Sequence, residues 1–142
     1  MNRNEIYVMY GKSHKAMAKE LAALAGLAGM IPDKNTKIGI KPNLLGQALA
    51  EEGFDNLVIL EGSWVGDSTR EAAAYCGYDR VCEKYGVPFW DMQQDRSVKR
   101  DCSGMELQIC RKVEEIGFLI NVPVLKGHCQ TRITCALKNM KG

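Results

Sequence analysis

Short apolar segments alternate with amphipathic ones along most of this chain, and that alternation limits the fold more than any other feature. Strands are predicted at residues 6–10, 36–40, 56–60, 87–91, 105–110 and 118–122. Helices are predicted from Ser13 to about Gly29, over 47–52 ahead of Gly53, from the capping box that begins at Ser68 as far as Gly77, and over 79–85. This order indicates an α/β domain with a largely parallel, twisted, Rossmann-like sheet and flanking helices.

Composition restricts the class of partner. The 142 residues are 46% hydrophobic and carry a formal charge of +2, which fits one domain without a broad electropositive field. No basic run is interleaved with aromatic residues, so nucleic acid is not an expected partner. The most apolar stretch, 21–31, is too short to cross a bilayer, and the first residues show no signal-peptide pattern. We therefore expect a cytoplasmic protein with no membrane partner.

Polar residues follow three of the predicted strands, where ligands of open α/β sheets bind. The clusters are Lys41 with Asn43; Glu61, Gly62 and Ser63 with Gly66, Asp67 and Ser68; and Lys126 with His128. The second cluster leads into a helix N-terminus, which favours an anion. It lacks both G-x-G-x-x-G and the P-loop lysine, so neither a dinucleotide nor a Walker-type nucleotide site is indicated. A small anionic ligand is the predicted partner.

The segment 119–142 concentrates further candidates. A strand ends at Pro123, a loop carries the lysine and histidine of the third cluster, and a helix is predicted over 131–140. Candidate ligand-binding residues here are Lys126, Thr131, Thr134 and Asn139, and the candidate catalytic residues are His128 and Lys138. In this hypothesis the three lysines at 41, 126 and 138 hold the anion and His128 transfers a proton. The pattern does not decide whether the protein is an enzyme.

Six cysteines are many for this length, yet none forms a C-x-x-C pair. We interpret most of them as small core hydrophobes, with Cys76 and Cys110 on apolar faces. The alternative is a metal or iron–sulfur protein that uses His128 with Cys129 and Cys135, together with thiols of another chain. An inactive structural fragment is the third possibility. No metal and no particular cofactor is predicted.

The motifs of the chain, taken in order, resemble one known family. They run from Lys41-Pro42-Asn43-Leu44 through Glu61-Gly62-Ser63, Gly66-Asp67, Gly77-Tyr78 and Asp91 to Ile120–Lys126, His128 and 134–142. This order is similar to the domain-of-unknown-function family numbered 362, and the resemblance covers nearly the whole chain. Some members carry a ferredoxin-like domain, which implies an iron–sulfur or redox partner.

Two departures from that family bear on completeness. Members have a longer stretch after the Lys-Pro-Asn strand, so the resemblance implies a deletion or chain gap near 45–46. Members also continue beyond the final Lys-Asn-x-Lys-Gly motif, so residues 1–142 are expected to form a single α/β domain that is the incomplete, N-terminal part of a longer one.

A more remote resemblance in layout is to the amino-terminal domain of nickel-pincer lactate racemases. It implies a shared fold and a shared ligand-binding edge of the sheet, with Lys138 at the position of a lysine that anchors a nickel–nucleotide cofactor. The glycines that precede that lysine in the racemases are replaced here by residues 134–137, so cofactor attachment is not carried over.

Overall fold

The computed structural model describes residues 5–41, 49, 51–63, 66–130 and 132–140. The predicted helix over 47–52 and the proposed gap near 45–46 fall mostly or entirely outside this part of the chain. The helices in it are α1 His14–Leu24, α2 Leu27–Met30, α3 Thr69–Tyr75, α4 Tyr78–Tyr85 and α5 Ala136–Met140. The strands are β1 Ile38–Lys41, β2 Leu57–Glu61, β3 Phe89–Asp91, β4 Ser97–Cys102, β5 Met105–Cys110, β6 Phe118–Asn121, β7 Lys126–His128 and β8 Arg132–Thr134. Short 3₁₀ turns occupy Met92–Gln94 and Arg111–Glu115.

Four strands form a parallel sheet in the order β3-β2-β1-β6, which confirms the predicted α/β class. The core cluster lies on one face of this sheet, where Ile38, Ile40 and Ile59 are almost fully buried. Helices α2 and α4 pack against it through Leu27 and Val81. The near-continuous apolar character of β1 and β2 is typical of parallel strands that are covered on both faces.

The central strand β1 contains a glycine for a steric reason. A Cβ atom at Gly39 would lie 2.8 Å from a methyl carbon of Leu60 and 3.0 Å from one of Ile116. Real Cβ atoms do not approach other atoms so closely, and a packed interior absorbs such an overlap only by moving its neighbours. Gly39 therefore allows Leu60 and Ile116 to pack directly over the middle strand.

The predicted helix starts are confirmed where a local cap specifies them. The Ser13 side chain accepts a hydrogen bond from the Ala16 amide at 3.3 Å, and the Ser68 side chain accepts one from the Glu71 amide at 3.3 Å. The first helix does not continue unbroken to Gly29, because Gly26 adopts a left-handed conformation with φ of 63°. Caps depend on residues within one turn, so sequence patterns specify them well.

Strand pairing departs from the sequence predictions in two places. The predicted strand over 6–10 is wrong: this segment belongs to no sheet, and Ile6, Val8 and Tyr10 are 87–100% exposed. Met105–Cys110 is a strand, but it pairs antiparallel with Ser97–Cys102 outside the parallel sheet. A strand-like sequence pattern does not specify which strand the segment pairs with, or whether a neighbouring strand is available at all.

The predicted loop and helix near the end of the chain are also corrected. Lys126–His128 and Arg132–Thr134 form an antiparallel hairpin, and the helix begins only at Ala136. The β-branched side chains of Ile133 and Thr134 favour the strand because their χ1 freedom is lost in a helix.

The cysteine interpretation is wrong for most of the six. All are free, and Cys76, Cys102, Cys129 and Cys135 are exposed, whereas Cys82 and Cys110 are half-buried. Cys76 lies at the end of α3, where the chain turns towards Gly77, and not on an apolar face. Burial raises the pKa of the Cys82 and Cys110 thiols, so these two are held in the unreactive thiol form.

No helix of the described residues is both long enough and apolar enough to cross a membrane.

Candidate functional site

The carboxyl edge of the parallel sheet carries one polar side chain at the end of each strand. These are Asp91 on β3, Glu61 on β2, Lys41 on β1 and Asn121 on β6. The strand register places Glu61 beside Asp91 and Lys41 beside Asn121. We call these four residues the rim.

The strand order reverses between β1 and β6. From β1 the chain proceeds outwards to β2 and then β3, whereas β6 is added on the other side of β1. In open α/β sheets the crevice at such a reversal, outside the carboxyl ends of the strands, is the usual ligand site. Lys41 and Asn121 are the residues that flank it here.

Lys41 and Glu61 form the principal electrostatic contact of the rim. The Lys41 Nζ atom lies 2.5 Å from Glu61 Oε1, and the two side chains are only 12% and 26% exposed. Glu61 Oε1 also accepts a hydrogen bond from the Gly62 amide at 3.0 Å. Charges withdrawn from water to this degree must be paired, so the contact fixes the direction of the lysine across the end of β1.

Asn121 attaches the last helix to the rim. Its Nδ2 atom donates to the Ala136 carbonyl at 2.8 Å, and its Oδ1 atom accepts from Asn139 Nδ2 at 2.7 Å. Both bonds join the end of β6 to α5. They bring the predicted site residue Asn139 to the crevice. The half-buried Lys138 precedes Asn139 in the same helix.

The loop between β2 and α3 is stabilised by its own hydrogen bonds. The Ser63 amide donates to Thr69 Oγ1 at 3.1 Å, and the Ser63 hydroxyl donates to the Asp67 carbonyl at 2.6 Å. Gly66 has φ of 105°, a conformation that favours glycine. The Ser63 and Ser68 side chains therefore already have hydrogen-bond partners in the loop and the first turn of α3, and an anion would compete with such bonds for the backbone donors.

The hairpin β7–β8 carries the remaining predicted residues. Lys126 is exposed and pairs in register with Thr134 at the open end, next to α5. The Thr134 Oγ1 atom is buried and has no hydrogen-bond partner in the part of the chain that the structure describes. His128 lies at the closed end, half-buried, and its Nδ1 atom accepts from the Gln130 amide at 3.2 Å. Asn43 and Thr131 lie outside the described residues.

The hairpin geometry bears on the metal alternative. Cys129 follows β7 at the closed end and Cys135 follows β8 at the open end. About four strand residues separate these levels, which corresponds to about 13 Å. Among the described residues, no group of three or more His, Cys, Asp or Glu side chains could hold a metal ion.

Three side chains at this edge were absent from the predicted site: Asp91, Asn121 and Tyr78. Asn121 and Asp91 are the last residues of their strands, which is the signal that could have identified them. Tyr78 begins α4, and its ring stacks on Phe89 with centroids 6.4 Å apart. Burial first, and then the charge of Glu61, raises the pKa of Tyr78 to about 12.

Comparison with known proteins decides the family. Residues 43–142 match the model of the family described as Domain of unknown function (DUF362). The chain is a member of the DUF362 family. The matched part of this DUF362 chain contains the rim residues Glu61, Asp91 and Asn121 and begins just after Lys41. No curated protein and no solved structure matches the chain significantly.

Proposed function

We propose that this DUF362 domain binds a small anionic ligand in the crevice between the carboxyl ends of β1 and β6. The observation that carries the proposal is the reversal of strand order at this point, flanked by the in-register pair Lys41 and Asn121. A ligand phosphate or carboxylate in the crevice lies next to the buried part of the rim, where electrostatic attraction is stronger than in bulk water.

Lys41 supplies the first contact to the ligand. Its ammonium group has three N–H donors, and within the described residues one is directed at Glu61. The remaining donors are available to ligand oxygens. Glu61 holds the lysine in place but also competes with an anionic ligand for it, so this carboxylate sets the strength of binding.

The segment after β6 supplies further contacts. Asn121 holds α5 against the rim, which keeps Lys138 and Asn139 near the crevice. Lys126 lies at the open end of the hairpin, close in the chain to both β6 and α5. We infer that these lysines add positive charge around the ligand. We further infer that His128 transfers a proton to or from the ligand. This step requires the closed end of the hairpin to reach the ligand.

An amide-resolved NMR titration tests the proposal with two probes, inorganic phosphate and malonate. We expect saturable shifts centred on Lys41, Glu61 and Asn121 in the wild-type chain. Lys41→Met should abolish them, whereas Lys99→Met, which removes a 67% exposed lysine of the separate β4–β5 hairpin, should leave them unchanged.

Glu61→Gln provides a test in the opposite direction. Removing the competing carboxylate while keeping a side chain of equal size should increase affinity for the anion, because Lys41 then has no paired charge. A purely structural role for the ion pair predicts weaker binding in both variants. The absence of saturable shifts with either probe, or shifts centred away from the rim, would overturn the proposed function.

A further inference from the structure

Helix α4 brings Tyr78 to the same edge of the sheet as the rim. The helix ends at Tyr85, and β3 begins four residues later at Phe89. A helix that connects parallel strands runs back across the sheet, so its first residue lies near the carboxyl ends of the strands. Gly77, with φ of 77°, makes the turn that begins the helix at this point.

One ring contact holds the Tyr78 side chain in place, and the partner ring is itself held by a cation. Its ring stacks on Phe89 at an interplanar angle of 25°, and Phe89 in turn has the Arg70 guanidinium 5.4 Å from its ring centre. Phe89 lies in the strand that ends in Asp91, next to the strand that ends in Glu61. The tyrosine is therefore fixed between α4 and the rim by packing of its ring and not by its hydroxyl.

The state of the hydroxyl suits it to bind an anion. Burial and the nearby Glu61 carboxylate disfavour the phenolate and raise the pKa of Tyr78 to about 12, so the group keeps its proton at neutral pH. A neutral O–H donates a hydrogen bond without carrying negative charge of its own. Within the described part of the chain this hydroxyl makes no hydrogen bond.

We propose that Tyr78 is a ligand-binding residue of the crevice and donates a hydrogen bond to an oxygen of the anion on the Glu61 side of Lys41. This inference rests on the proposed function. It supplies what the rim lacks on that side, where Glu61 and Asp91 are both negative and repel an anionic ligand. A donor with no net charge offsets part of that repulsion where the ligand extends from the crevice over Lys41 towards the end of β2.

Tyr78→Phe isolates the hydroxyl, because phenylalanine keeps the ring that stacks on Phe89. The loss of one neutral hydrogen bond should raise the Kd for inorganic phosphate roughly 2- to 12-fold. Tyr75→Phe is the matched control: Tyr75 ends the preceding helix, is 94% exposed, and should give the wild-type Kd.

The possible outcomes distinguish failure of the Tyr78 inference from failure of the proposed anion-binding function. If wild-type protein binds neither phosphate nor malonate, the proposed function fails and the role of Tyr78 fails with it. If wild type binds, Lys41→Met does not, and Tyr78→Phe binds like wild type, only the inference about Tyr78 is overturned. As a second readout in the unaltered chain, the ¹³Cζ resonance of labelled Tyr78 should shift on phosphate addition while that of Tyr75 stays constant. An unshifted Tyr78 resonance in a saturated complex would also refute it.

Discussion

The ion pair between Lys41 and Glu61 yields a quantitative prediction about the rim. At the observed separation of 2.5 Å, the Coulomb attraction is about 6–7 kcal/mol for an effective dielectric constant of about 20. Loss of hydration by two side chains that are 12% and 26% exposed offsets most of this. Hydrogen bonds to charged groups retain about 1.5–3 kcal/mol net, so we expect a coupling energy of about the same size.

A double-mutant cycle measures that coupling. Lys41→Met, Glu61→Gln and the double variant are unfolded in urea, and the coupling is the difference between the double change and the sum of the single ones. Lys99 and Glu106 provide a matched control, because they form a 2.7 Å pair of similar geometry that is 67% and 62% exposed. Exposed pairs typically show a coupling of about 0.2–1 kcal/mol. A Lys41–Glu61 coupling no larger than that of the control would refute the interpretation that partial burial makes this contact strong.

Two further predictions concern the core and the thiols. Gly39→Ala should lower the free energy of unfolding, measured in urea, by about 1–3 kcal/mol, because the added methyl group would lie 2.8 Å from Leu60. Gly29→Ala is the control: its methyl group meets no atom within 4 Å, and in helix α2 it should stabilise the protein by up to about 1 kcal/mol. Equal effects of the two changes would contradict the steric argument. The chain purified without oxygen should be colourless and contain less than one iron per molecule. The reason is that Cys129 and Cys135 follow opposite ends of a hairpin. Visible absorbance with matching acid-labile sulfide would favour the iron–sulfur alternative instead.

Local patterns predicted the elements that depend on neighbours in sequence. The serine caps at Ser13 and Ser68, the strand before Glu61 and the turn at Gly77 were all identified correctly because each is specified within a few residues. The parallel arrangement followed from the alternation of elements. That arrangement in turn predicted that Lys41 and Glu61 lie close together, since parallel strands end at a common edge, but it did not single out Asp91 and Asn121 at the same edge.

The tertiary structure decided everything that depends on a partner distant in sequence. The segment over 6–10 has a strand pattern yet pairs with nothing in the described chain, whereas residues 132–134 were predicted as helix and form a strand because β7 lies beside them. Asn121 became a candidate only when its two hydrogen bonds to α5 were visible, and Tyr78 only when its ring lay on Phe89. Amino-acid sequence determines local conformation through short-range sterics and caps. Strand pairing and the approach of distant side chains depend instead on which long-range contacts are favourable enough to offset the entropy cost of closing the chain. A single sequence does not show which contacts these are.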